Sequence, residues 1–200
     1  MFSDRARYLL AWAGLLLLSG CLARDPVVVG VNTAPAGNWR IERSIDRITS
    51  APISSAFVMS RSVSTSKIVF PPAAQLQLLC FKEMPVVSFN FPFKIGSTRN
   101  ASFAYRFDDR AGREIEVRFV GNYRDVLIER PDEVAQFVDE LSTSKGLYIF
   151  IRSLTDAGRT SAEFSLQGAP AAIKAAYATC PVQPAKVAQA PAPKKKVAGH

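Results

Sequence analysis

Short runs of β-branched and aromatic residues fill the chain between residues 38 and 129, and Pro, Gly, Asn and Asp separate them. Runs of about four to eight such residues with these breaks are typical of strands joined by turns. We therefore predict strands at 38–43, 54–61, 75–82, 86–91, 101–107, 113–120 and 124–129.

Two of these runs also alternate in the way that a strand with one buried face requires. At 114–119 the apolar residues are Ile115, Val117 and Phe119, and charged residues occupy the positions between them. At 75–80 the alternation puts Cys80 on the same face as Leu76 and Leu78. We therefore expect Cys80 to point towards the core.

The C-terminal third predicts two helices and a hairpin. A helix is expected to begin at Pro131, whose fixed φ suits a first turn, and to stop near Gly146. Its apolar residues recur at helical spacing, at Val134, Phe137, Val138 and Leu141. Residues 147–153 and 160–166 are expected to pair as strands, and 170–178 to form a short Ala-rich helix leading to Cys180.

These elements predict one mainly β domain over residues 38–181, a sandwich of two antiparallel sheets with one or two short helices. Residues 22–37 are small and irregular, and we expect a tether there. Residues 182–200 are rich in Pro, Ala and Lys and predict a disordered tail, since they cannot bury enough apolar area. That tail has two interpretations, weak attraction to anionic envelope polymers and a solubilising role without a partner.

The first residues have the three parts of a secretory signal: Arg5 and Arg7, an apolar run at 8–18, and small residues at 19 and 20. The apolar run is shorter than the roughly 20 residues that span a bilayer. Leu-Ser-Gly-Cys at 18–21 resembles the bacterial lipobox. The resemblance implies that residues 1–20 are a cleaved signal peptide and that Cys21 carries acyl chains such as palmitate. An ordinary signal peptide with an incidental Cys is the alternative.

A lipidated Cys21 would anchor the protein to a membrane without spanning it. Leu22 stands where lipoproteins kept in the inner membrane of enteric bacteria usually have Asp. The resemblance therefore favours the periplasmic face of the outer membrane over the inner membrane. The formal charge of +8 is concentrated at the two ends of the chain, and no stripe of Arg and Lys interleaved with aromatics is present. Nucleic acid is therefore not an expected partner.

Cys80 and Cys180 remain once Cys21 is assigned to lipid, and an oxidising compartment favours their pairing. A disulfide that closes a loop of about 100 residues stabilises a domain by about 4.7 kcal/mol in the chain-entropy model. We predict a structural disulfide between them. Two buried free thiols are the alternative, and the spacing differs from that of a Cys-x-x-Cys redox pair.

The single histidine is His200, inside the basic tail, so the sequence predicts neither a His-based catalytic arrangement nor a His-rich zinc site. Phosphate-binding and dinucleotide motifs are also missing from the sequence. We expect no metal, no cofactor and no enzymatic activity. The enzymatic alternative is hydrolysis of a wall polymer by carboxylates, either Asp108 with Asp109 or Glu114 with Glu116. A turn and a solvated strand face explain these acids more simply.

Arg106 is the most interesting single charge in the predicted strands. It lies between Tyr105 and Phe107, and Asp108, two residues on, shares its face. We predict a structural ion pair between Arg106 and Asp108. Contact of Arg106 with an anionic ligand is the alternative.

Several short segments occur in the same order as in a family of small proteobacterial periplasmic proteins, which this chain resembles. Some members of that family are accessory proteins of type VI secretion loci. The segments are Trp39, Ser-Ile-Asp-Arg-Ile-Thr at 44–49, Leu-Leu-Cys at 78–80, Tyr-Arg-Phe-Asp at 105–108, Glu-Phe-Ser-Leu-Gln-Gly at 163–168, Ala-Ala-Ile at 171–173 and Cys180. The resemblance implies a disulfide-linked, mostly β domain with no known reaction. This chain adds a lipobox and a basic tail.

Together these features predict an envelope lipoprotein whose domain has a binding or structural role. The expected partners are the membrane, through the lipid, and another envelope protein or wall material. An accessory or assembly factor of a secretion apparatus is the alternative, and a carboxylate hydrolase of wall polymers is a second one.

Overall fold

A computed structural model of the chain describes residues 28–95, 101–153 and 158–183. Twelve strands and two helices lie within these ranges. In chain order they are β1 Val28–Ala36, β2 Trp39–Asp46, β3 Pro52–Met59, β4 Ser62–Thr65, β5 Gln75–Phe81, β6 Met84–Asn90, β7 Ala101–Phe107, β8 Arg113–Ile115, β9 Arg118–Val120, β10 Asp125–Ile128, α1 Pro131–Thr143, β11 Gly146–Ser153, β12 Arg159–Ser165 and α2 Ala169–Ala176.

The strands form two antiparallel sheets. The seven-stranded sheet has the order β1-β2-β3-β5-β6-β10-β9, and the five-stranded sheet has the order β4-β12-β11-β7-β8. The fold is therefore mainly antiparallel β with two short helices, as the sequence predicted.

The core lies where both sheets and α1 meet. The ring centroid of Phe89 in β6 is 5.2 Å from that of Phe103 in β7, 5.9 Å from Phe164 in β12 and 6.0 Å from Phe137 in α1. All four rings are buried. Such aromatic pairs add about 0.5–1.5 kcal/mol each to the gain from buried area. Phe89 therefore joins the seven-stranded sheet to the five-stranded sheet and to the helix.

The two helices lie near their predicted positions. Helix α1 begins at Pro131, and its buried residues are Val134, Ala135, Phe137, Val138 and Leu141, which include the predicted apolar stripe. Helix α2 packs against the seven-stranded sheet. One of its contacts is a 2.7 Å hydrogen bond that the Ser54 hydroxyl in β3 donates to the carbonyl of Ala175. The buried hydroxyl of Tyr177, just after α2, donates a 2.9 Å bond to the carbonyl of Val86 in β6.

The predicted tether at 22–37 is wrong over Val28–Ala36, which forms β1 and pairs antiparallel with β2. Proline made this segment look irregular. Pro35 is nevertheless tolerated, since β1 is the edge strand of its sheet and has β2 alone as a neighbour. Gly37, with φ of 62°, makes the tight turn into β2. The domain therefore begins about one strand earlier than predicted.

The single strand predicted at 113–120 is also wrong, because the chain changes sheets within it. Residues Arg113–Ile115 form β8 beside β7, and Arg118–Val120 form β9 beside β10 in the other sheet. Ile115 and Phe119 both face the shared core, so the apolar alternation continues through the change. Strand β4, with the weakly patterned sequence Ser-Val-Ser-Thr, was not predicted.

Candidate functional site

A disulfide joins Cys80, near the end of β5, to Cys180, just beyond α2, with their Cα atoms 6.0 Å apart. The predicted pairing is confirmed. The bond lies at the same end of the seven-stranded sheet as the hydrogen bond from Tyr177 to Val86 and the one from Ser54 to Ala175. The segment after α2 is therefore fastened to this end of the sheet.

We call this end of the sheet the hairpin end; it comprises residues 45–52 around the β2–β3 turn and residues 81–85 around the β5–β6 turn. Strand pairing aligns the two turns, since Ile45 pairs with Pro52 and Phe81 pairs with Met84. Strand β1 also begins here, because Val28 pairs with Asp46. Both the start of the described chain and the segment after Cys180 therefore lie at the hairpin end.

Large apolar side chains are exposed at the hairpin end. They are Ile45, Ile48, Phe81 and Met84, each about half exposed or more, and Ile48 is 84% exposed. A groove of about 670 Å³ lies beside them. Its lining includes Pro52, Ile53, Met84, Pro85, Cys180 and Pro181. The hairpin end therefore exposes large apolar side chains beside the polar residues of its two turns, such as Lys82 and Glu83.

Asp46 fixes the shape of the β2–β3 turn. Its carboxylate accepts 2.8 Å hydrogen bonds from the backbone N–H groups of Ile48 and Thr49. The bonds from Thr49 and Ile48 lower the pKa of Asp46, because they favour the ionised form. This aspartate therefore has a turn-forming role, and it holds Ile48 outward.

The opposite end of the sheet, which we call the loop end, carries the β4–β5 loop at residues 66–74. Hydrogen bonds fix both bases of this loop: Ser60 N–H donates to the carbonyl of Ala74 at 2.8 Å, and Ser66 N–H donates to that of Arg159 at 3.0 Å. Between these bases the side chains of Val69 and Phe70 are 85% and 90% exposed. A second apolar surface therefore lies at the far end from the start of β1.

A charged cluster connects β8 to α1. One Nη atom of Arg113 donates to the hydroxyl of Tyr105 at 3.1 Å, and the guanidinium lies 3.6 Å from both Glu133 and Glu140. Burial raises the pKa of Tyr105 to about 12, and the nearby Arg113 opposes this effect. The ion pairs join a strand to a helix, which indicates a structural role, although the buried Oε2 atom of Glu133 accepts no hydrogen bond within the described residues.

Arg106 and Asp108 do not form the predicted ion pair. The Arg106 guanidinium lies over the ring of Tyr148 on the neighbouring strand, 5.8 Å from its centroid. The Asp108 carboxylate instead accepts hydrogen bonds from the backbone N–H groups of Lys145 at 3.1 Å and Gly146 at 2.8 Å. Asp108 has φ of 46°, and this turn conformation directs it towards the start of β11. The interaction with the backbone therefore replaces the interaction with Arg106.

The other acids considered as candidates, Asp109, Glu114 and Glu116, all lie on exposed surface. Glu116 lies 3.6 Å from Arg130. Within the described residues, no three His, Cys, Asp or Glu side chains lie where they could share a metal ion. Cys21, the residues before it and the basic tail lie outside the described residues. Among the helices that the structure does describe, none has the length and apolar character needed to cross a bilayer.

Sequence reasoning identified the disulfide but neither of the exposed apolar surfaces. Ile68-Val69-Phe70 is an apolar run like many that form buried strands, and the two prolines after it were the available signal that it lies in a loop. No protein family model matches this chain, and neither a curated protein nor a solved structure matches it.

Proposed function

We propose that this protein is a lipid-anchored lipoprotein of the cell envelope, attached through Cys21 to the periplasmic face of the outer membrane. We further propose that its β domain binds another envelope protein and catalyses no reaction. The lipobox at 18–21 supports the anchor. In this arrangement the hairpin end is near the lipid, since six residues, 22–27, separate Cys21 from the start of β1.

The observation that carries the binding role is the exposed tip of the β4–β5 loop. Val69 and Phe70 are 85% and 90% exposed, yet both bases of the loop are fixed by hydrogen bonds. A large aromatic side chain on a fixed loop is suited to fill a pocket of a partner, because apolar and aromatic anchors contribute most of the energy at interfaces. The loop lies at the end of the sheet opposite the start of β1, where a partner has access.

The chemistry of the loop favours a protein partner over wall material. Isoleucine, valine and phenylalanine fit an apolar pocket, whereas wall polymers present mainly polar sugars and charged peptides. Pro71 and Pro72 follow directly and restrict the backbone. A restricted loop loses less conformational entropy on binding, so a small contact area can still give useful affinity.

The anchor is tested by labelling growing cells with a clickable palmitate analogue. We expect label on the wild-type protein and none on a Cys21→Ser variant, with both chains present in comparable amounts. Label that persists in the variant, or wild-type protein without label, would refute the lipoprotein assignment.

The binding role is tested by pull-down from detergent-solubilised membranes with the wild type, a Val69→Ser/Phe70→Ser variant and an Ile48→Ser control. Ile48 is a matched control, since it is 84% exposed but lies at the hairpin end. We expect one envelope protein to be recovered with the wild type and the control, and about tenfold less with the loop variant. Equal recovery with all three chains would contradict the proposal. A secretion-apparatus component as the recovered protein would identify an accessory role.

A further inference from the structure

We infer that the hairpin end rests on the membrane, with Ile48, Phe81 and Met84 in contact with lipid. This inference rests on the proposed lipid at Cys21 but goes beyond it. A lipidated Cys21 alone would keep the start of β1 near the membrane without placing any surface of the domain against it.

The covalent path to Cys21 limits how far the hairpin end can lie from the lipid. Val28 pairs with Asp46 at this end, and Cys21 precedes Val28 by seven positions. Seven residues span at most about 25 Å when fully extended. The loop end lies beyond the length of β5, about 20 Å further along the sheet. The hairpin end is therefore the part of the sheet with the easiest access to the bilayer.

The apolar side chains at this end suit contact with lipid, although the β5–β6 turn also exposes Lys82 and Glu83. Phe81 and Met84 are about half exposed, and Ile48 is the most exposed large apolar residue of the hairpin end. They lie on two aligned turns, so a single membrane surface can contact both. Such residues bind weakly alone, but a lipid attached nearby makes the contact intramolecular and raises its occupancy.

The disulfide brings the C-terminal part of the chain to the same surface. Cys180 is bonded to Cys80, which lies next to Phe81, and the groove lining continues along Pro181. The sequence that follows contains lysines at 186 and 194–196. Lysines tethered close to a bilayer are attracted to anionic headgroups, so their position favours the same orientation.

A photo-crosslinking experiment in living cells tests this orientation. A benzophenone amino acid is placed at Ile48 in one full-length chain and at Val69 in another. The two sites are matched, because their side chains are 84% and 85% exposed at opposite ends of the sheet. After illumination, mass spectrometry counts phospholipid adducts. We expect about tenfold more adduct at Ile48 than at Val69, and a similar excess when Met84 is the labelled position.

The outcomes separate this inference from the proposed function, because palmitate labelling is read in the same cells. Label on Cys21 with equal lipid adducts at Ile48 and Val69 would overturn the orientation alone. Protein adducts at Ile48 in place of lipid adducts would also overturn it and would make the hairpin end a protein interface. An unlabelled Cys21 would overturn both proposals.

Discussion

The two ends of the seven-stranded sheet both expose apolar side chains, but they are held in different ways. At the hairpin end a disulfide joins Cys80 to Cys180, and Tyr177 donates a buried hydrogen bond to Val86. At the loop end the β4–β5 loop is held by backbone hydrogen bonds at its two bases. The hairpin end is therefore covalently fastened, whereas the loop end depends on weaker local interactions.

This difference shows that exposure alone does not assign a role to an apolar surface. Ile48 and Val69 are almost equally exposed. What separates them is the path of the chain, because β1 begins beside Ile48 and the segment after α2 returns to the same end. On this basis we propose the membrane for one surface and a protein partner for the other.

The largest expected effect comes from removing the disulfide, which fastens the hairpin end alone. A Cys80→Ser/Cys180→Ser variant should lose about 4.7 kcal/mol of unfolding free energy, since the cross-link restricts the unfolded chain. Urea unfolding measures this loss. Below the unfolding transition, hydrogen exchange should rise around the β5–β6 turn and the end of α2.

The wild type treated with a reductant provides the control for that change, and the same reductant should leave the variant unaffected. Exchange that increases equally in the β4–β5 loop would break the distinction between the two ends.

A smaller effect is expected where the β1–β2 turn meets the start of α2, at the loop end. Gly37 and Gly168 have φ of 62° and 95°, and a Cβ on either glycine would run into the backbone of the other's turn. Gly37→Ala and Gly168→Ala should each lower the unfolding free energy by about 2 kcal/mol, through left-handed backbone strain and this collision. Thermal or urea unfolding measures it.

Gly112→Ala is the matched control for these two glycines. A Cβ there would have an ordinary 3.7 Å contact with the carbonyl of Tyr105, so a change below about 0.5 kcal/mol is expected. If Gly112→Ala lowers the unfolding free energy as much as Gly168→Ala, the close approach of the two turns is not the reason for glycine at positions 37 and 168.

Local patterns in the sequence predicted the elements that obey a single period. The apolar stripe from Val134 to Leu141 predicted α1. The alternation in β5 predicted that Cys80 points towards the core, where it bonds to Cys180. The same patterns do not show where the chain passes from one sheet to the other. Ile115 and Phe119 keep one alternation although their strands belong to different sheets.

The two apolar surfaces and the fate of Arg106 depend on tertiary contacts, which the sequence pattern does not contain. Arg106 and Asp108 were expected to pair because alternate residues share a strand face. The strand ends at Phe107, however, and the left-handed φ of Asp108 turns its carboxylate towards Gly146. Likewise, an apolar run such as 68–70 is exposed only because the chain on either side of it is fixed elsewhere.

The smallest effect concerns acid and the β2–β3 turn. Backbone N–H groups of Thr49 and Ile48 lower the pKa of Asp46 below its ordinary value of 3.8, so the folded protein favours the ionised carboxylate. The stability that this group contributes is present above about pH 4 and is lost as the pH falls through the folded pKa.

Asp46→Asn keeps an acceptor oxygen but removes the charge. The free energy of unfolding, measured between about pH 6 and pH 3, should therefore fall less steeply with decreasing pH in the variant than in the wild type. Other carboxylates whose pKa is lowered, such as Glu129 beside Arg118, are common to both chains and cancel in the comparison. Superimposable pH profiles would show that the charge of Asp46 does not hold the turn that presents Ile48.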